Sequence, residues 1–199
     1  MAKKKTKHKG VNLLSSILLI FLAFIGTLAL LASSIERGES PIPSRTSGLN
    51  REEFIENVAS YAVPLQETHG IKPSITIAQA IVESNWGESG LAVNDHNYFG
   101  IKGDSTQPSY ATLEYEDEWV EIQASFRSYA SLEESVKDYA ELIAGGTNWN
   151  PDLYKPVVEA ADYKEAAHAL KASGYATDPN YPIKLIEIVE LYDLDQYDN

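Results

Sequence analysis

The acidic residue best placed for proton transfer is Glu83, in the run Ala78-Gln79-Ala80-Ile81-Val82-Glu83-Ser84-Asn85-Trp86-Gly87. Upstream, Pro73 suits a first helical position, and Ile77, Ala78, Ile81 and Val82 recur at the spacing that buries one helix face. A carboxyl group at the edge of such a face, with an aromatic residue three positions on, has its ionised form disfavoured and can hold a proton near neutral pH. Such a group can act as a general acid. The competing reading is a solvated glutamate on a helix flank, the usual fate of this residue type.

Other chemistries find no support. The chain has no cysteine, which removes disulfide staples, thiol nucleophiles and cysteine zinc sites together. His8, His69, His96 and His168 are scattered without HExxH-type spacing, so a catalytic metal is not expected.

Residues 73–87, followed by Asn97-Tyr98-Phe99-Gly100-Ile101-Lys102-Gly103, resemble glycoside hydrolase family 73, bacterial endo-β-N-acetylglucosaminidases that cut peptidoglycan on a lysozyme-like fold. Later segments continue the resemblance: Ala124-Ser125-Phe126-Arg127-Ser128-Tyr129, Glu134-Ser135-Val136-Lys137-Asp138-Tyr139, and Gly174-Tyr175-Ala176-Thr177-Asp178-Pro179-Asn180-Tyr181. It extends over roughly residues 50–194, in the family's order.

The resemblance implies that Glu83 protonates the departing glycosidic oxygen, and it directs attention to a second carboxylate. Thr112-Leu113-Glu114-Tyr115 looks like the family's Thr-x-Glu pattern, which aligns Glu114 with its second acidic residue. Glu116 is the rival, because strand alternation places it on the same face. Two alternatives stand beside these: a merely solvated acidic hairpin tip, and attack by the sugar's own 2-acetamido group, with the second carboxylate only assisting. For sugar binding, the motif-bearing segments supply Trp86, Asn97, Tyr98, Tyr129, Tyr175 and Tyr181, with Tyr175 and Tyr181 expected in the cleft. Phe99 and Phe126 are expected in the core, and Arg127 in a structural ion pair.

The elements that must position these residues form a mainly α (α+β) domain, lysozyme-like by resemblance, with a small β-hairpin. A helix is expected to start at Asn50 and to kink or end at Pro64, with Gly70 closing the segment before the Glu83 helix. Residues 87–108, rich in Gly, Asn, Asp and Ser, read as a long loop. Residues 110–115 and 119–126 alternate as a hairpin turning near Glu116-Asp117-Glu118, without the glycine that family members often carry there. Ser131 with Glu134 starts a helix ending near Gly145-Gly146, Asp162 with Glu165 starts another ending at Gly174, and Asp178-Pro179 starts a last one reaching about Tyr192. With 44% hydrophobic residues, a single packed core is feasible.

Ahead of this domain (residues 50–199) stand a basic segment (1–12), an apolar stretch (13–32) long enough to span a bilayer, and a polar linker (33–49). The lysine-rich start should remain cytoplasmic, leaving the domain outside and facing the wall; a cleaved signal peptide with secretion is the alternative. The formal net charge is −13, or −18 once the +5 of the five N-terminal lysines is set aside, which argues against nucleic acid or an anionic lipid surface as partner. The leading expectation is a membrane-tethered glucosaminidase acting on peptidoglycan strands, with no metal or organic cofactor. A muramidase or lytic transglycosylase acting on the same polymer, and a non-catalytic wall-binding module, are the competitors.

Overall fold

The computed structural model describes residues 45–198, with side chains from residue 51 onward. The basic segment, the apolar stretch at 13–32 and linker residues 33–44 lie outside the described residues. Among the described residues no helix is long and apolar enough to cross a membrane.

The first helix, α1 (Arg45–His69), buries Ile55, Val58, Ala59 and Ala62 on one face. It begins ahead of the expected start at Asn50 and does not end at Pro64, which lies inside it. Pro64 and Ser60, whose carbonyl it cannot serve, both lie on the exposed face, where solvent can supply the donor. Gly70, at φ 73°, closes the helix with its N–H on the Gln66 carbonyl, 2.8 Å away.

Helix α2 (Pro73–Ser84) is the central element, buried almost all round as its apolar composition requires. It packs against α1 and the C-terminal helix, and its last turn carries Glu83. Asn85, left-handed at φ 50°, ends it. The region expected as one long loop contains a short helix, α3 (Gly90–Asp95). Ser89 caps it by accepting from the Ala92 N–H at 3.1 Å, and Leu91 and Ala92 bury beneath it.

Strands β1 (Ser109–Glu116) and β2 (Glu118–Ser125) form the antiparallel hairpin, with Glu116 opposite Glu118. Asp117 takes the left-handed φ of 65° at the turn, a conformation that aspartate tolerates and that glycine would otherwise supply. Helix α4 (Leu132–Gly145) starts at Ser131, whose hydroxyl accepts from the Glu134 N–H, while the Glu134 carboxylate accepts from the Ala130 N–H. One turn, α5 (Lys155–Val158), was not anticipated. Helix α6 (Tyr163–Ala172) is capped by Asp162, which accepts from Lys164 and Glu165.

The final helix, α7 (Tyr181–Leu191), starts later than Asp178-Pro179, because the Asp178 carboxylate is engaged in the preceding turn by the Asn180 N–H and Lys184. A 3-10 turn (Leu194–Tyr197) follows. The mainly helical architecture with one small hairpin agrees with the expectation, and Phe99 and Phe126 are buried as expected. Phe99 stacks on Tyr139 at 4.2 Å between centroids, beside Tyr175.

Candidate active site

Because α2 is buried, its last turn carries Glu83 into the interior, where the residue is 2% exposed. Its Oε1 accepts a hydrogen bond from the Tyr181 hydroxyl at 2.5 Å. Its Oε2 is buried with no hydrogen-bond partner among the described residues. Loss of solvent pushes the carboxyl up to about 8, an effect opposed by the Tyr181 hydrogen bond and the Lys184 charge and reinforced slightly by Asp178. At neutral pH the group is therefore an acid holding its proton.

Glu83 borders a cavity of about 190 Å³, walled by Ser89, Gly90 and Leu91 from the start of α3 and by Tyr110, Ala111 and Phe126 from the hairpin base. Tyr110 donates to the Asp95 carboxylate, which raises the tyrosine's own pKa and fixes its ring beside Phe126. Tyr110, Ser89 and Leu91 were missed from sequence. Tyr110 was recoverable in principle, because period-two alternation places it on the strand face shared by Thr112 and Glu114.

Glu114 is 7% exposed and ion-paired with Lys102, and it is not among the residues lining the Glu83 cavity. Glu116 is exposed at the strand end, whereas Thr112 is buried with an unpartnered hydroxyl. The Tyr115 N–H donates to the Thr177 hydroxyl at 3.0 Å, tying the hairpin to the segment before α7.

The aromatic and amide residues picked out for sugar binding are dispersed. Tyr181 is buried against Glu83 itself. Tyr175 is wholly buried and donates to the Phe99 carbonyl at 3.0 Å, which places it in the core rather than on a cleft wall. Asn97, also buried, folds its own loop: its amide nitrogen donates to the carbonyls of Ile101 and Arg127, both at 2.9 Å, and its oxygen accepts from the N–H of Ile101 at 3.1 Å. Trp86 packs edge-on against Phe54 and Tyr192 under the Arg51 guanidinium, and Tyr98 lies against Phe54. Tyr129 donates to Asp138 at 2.6 Å, on the carboxylate that also pairs with Arg127, and borders a separate polar cavity of about 320 Å³ with Lys102 and Gln107. The structure thus sets Tyr181 against Glu83, whereas Trp86, Asn97, Tyr98, Tyr129 and Tyr175, like Glu114 and Glu116, do not line that cavity. Among the described residues no three acidic or histidine side chains cluster as a metal site would require.

Residues 59–194 match the family model described as mannosyl-glycoprotein endo-beta-N-acetylglucosaminidase. The chain is 43% identical to the exo-glucosaminidase LytG of Bacillus subtilis, over all of this chain and 70% of that protein. It is 36% identical to a probable N-acetylmuramidase of Lactococcus lactis, over 98% of this chain but only 43% of the relative. Among solved structures, the catalytic domain of the autolysin Auto from Listeria monocytogenes aligns with a TM-score of 0.66 at 34% identity, covering 82% of this chain and all of that one. An N-acetylmuramoyl-L-alanine amidase from Staphylococcus aureus aligns at 0.71 and 41% identity, over 75% of this chain and 44% of the other.

Proposed function

This chain belongs to the glucosaminidase family, glycoside hydrolase family 73, and from that premise we propose that it hydrolyses peptidoglycan at the β-1,4 bond between N-acetylglucosamine and N-acetylmuramic acid, with Glu83 as general acid. The observation that carries this reading is the buried, proton-holding Glu83 carboxyl, one oxygen anchored by Tyr181 and the other uncommitted, at the wall of a mostly apolar cavity. As the bond from the anomeric carbon to the bridging oxygen breaks, the Glu83 proton passes to that oxygen. Positive charge develops on the sugar, and water completes the hydrolysis at the anomeric carbon.

For the charge on the sugar, Glu114 is the protein's candidate and Glu116 its rival. The pairing of Glu114 with Lys102 and its place outside the cavity favour a supporting role, with the substrate's 2-acetamido group able to attack the anomeric carbon. Trp86, Asn97, Tyr98, Tyr129 and Tyr175 then act by shaping the domain rather than by touching the bond that is cut. In the same proposal residues 1–12 stay cytoplasmic, 13–32 anchor the chain in the membrane, 33–44 link, and the catalytic domain, entered through α1 from Arg45, faces the wall.

A muramidase is the second reading, favoured by the similarity to the Lactococcus proteins of that description. Mass spectrometry of digested, reduced peptidoglycan separates the two through the sugar found at the new reducing end. Wild-type protein should yield N-acetylglucosamine ends, and folded Glu83→Gln protein should yield none. Normal turnover by that variant would reject the acid assignment, and N-acetylmuramic acid ends would reject the bond.

A further inference from the structure

A carboxylic acid has two oxygens, and only a proton on the one within reach of the substrate is useful. In this site the choice is made by a buried chain of hydrogen bonds leading away from the cavity. The Tyr181 hydroxyl has one hydrogen and two neighbours, the Gln79 Nε2 at 2.9 Å and the Glu83 Oε1 at 2.5 Å. An amide nitrogen can only donate, so the tyrosine hydrogen is committed to Glu83 Oε1. The Gln79 oxygen in turn accepts from the Tyr139 hydroxyl, which keeps the amide nitrogen turned toward Tyr181. Gln79, Tyr139 and Tyr181 are at most 1% exposed, so water does not compete for these bonds. With the amide reversed, Tyr181 would donate to Gln79, and Glu83 could satisfy the tyrosine oxygen only by holding its proton on Oε1.

We infer that Gln79 is a positioning residue for proton transfer: held by Tyr139 and acting through Tyr181, it directs the acid proton of Glu83 to Oε2, the oxygen without another partner. This rests on the reading of Glu83 as the general acid. A chain of this kind polarises cooperatively in a dry interior, so loss of one member is felt at the far end. The other groups acting on Glu83, Lys184 of α7 and Asp178 before it, are paired with each other at 2.5 Å rather than with Gln79 or Tyr139.

The test is the pH profile of kcat and KM for peptidoglycan cleavage by the full chain in Gln79→Met, Gln79→Glu and Tyr139→Phe, with Glu83→Gln alongside. Methionine keeps the length of the side chain without its polar ends. Glutamate, buried there as Glu83 is, would also hold its proton, donate it to Tyr181 as the amide does and accept from Tyr139, so it is the conservative replacement. Tyr139→Phe keeps the ring and frees the amide to reverse. Expected are a KM within about twofold of wild type and a kcat lower by about tenfold in Gln79→Met and Tyr139→Phe, with Gln79→Glu within about threefold of wild type. Because the Tyr181 hydrogen bond lowers the Glu83 pKa, weakening it should move the alkaline limb of kcat to higher pH in Gln79→Met and Tyr139→Phe.

Wild-type kcat and an unmoved alkaline limb in folded Gln79→Met or Tyr139→Phe, beside an inactive Glu83→Gln, would overturn the role of Gln79 alone. So would a rise in KM matching the loss of kcat with the limb in place, the signature of loosened packing. Activity in Glu83→Gln would instead remove the acid assignment on which the inference stands. If neither Gln79 variant folds, Tyr139→Phe decides by the same criteria.

Discussion

At the scale of single residues, the burial of Glu83 ties its ionisation to the stability of the fold. Its carboxyl titrates at about 8 in the fold against an ordinary value of 4.5, so between these limits the native state holds a proton that the unfolded chain releases. Stability tied to this group is therefore present below about pH 4.5 and is lost as pH rises toward 8. Glu83→Gln does not titrate. Whatever separates the melting temperatures of variant and wild type at pH 4, the difference should shift in favour of the variant up to about pH 8 and then level off. Thermal melts across that range check it, and parallel curves would show that the carboxyl is not buried in its neutral form. Glu114 and Glu116 separate by environment: one is buried against Lys102, the other is exposed at the hairpin end. Glu114→Gln should slow clearing of a cell-wall suspension by about tenfold, and Glu116→Gln by less than about twofold. The reverse order would exchange their roles.

At the scale of elements, the helices were readable where caps and periodicity agreed. Ser131 and Asp162 cap α4 and α6 through backbone N–H groups, as the spacing to Glu134 and Glu165 implied. Misreadings fell where local preference met tertiary context. Pro64 is a helix breaker by type but is harmless on a wet face, and the glycine-rich stretch after α2 still closes a turn of helix over buried Leu91. The connection after α4 depends on a different device. Gly146 sits at φ 65°, and a Cβ there would collide with the backbone oxygens of Asn150 and Pro151, in a loop closed by reciprocal Thr147–Asn150 hydrogen bonds at 3.0 Å. Gly146→Ala should cost about 2 kcal/mol or more, whereas neighbouring Gly145→Ala, with nothing within 4 Å, should be neutral or slightly stabilising. Urea unfolding of the two variants measures the contrast, and equal midpoints would show that the loop yields.

At the scale of the whole molecule, the strong negative charge bears on the substrate. A wall rich in anionic polymers repels a chain of formal charge −13, and salt screens that repulsion over about 10 Å at 0.1 M. Wall clearing by the full chain should therefore speed up between about 0.01 M and 0.15 M sodium chloride, while hydrolysis of an uncharged soluble oligosaccharide should change little. A wall rate that falls over this range would mean that attractive charge contacts guide binding.

The sequence by itself determined the family and the helical class with its hairpin, and it singled out Glu83 as the candidate acid, because short motifs, caps and apolar spacing are local properties of the chain. Only the tertiary structure decided which partners surround that acid. Tyr181 and Gln79 lie 102 positions apart and yet share a hydrogen bond, and Tyr139 reaches Gln79 from α4. Burial likewise sent Tyr175 to the core and Glu114 to Lys102. Composition could not foresee these outcomes, since which polar atoms meet in a dry interior depends on how distant helices pack.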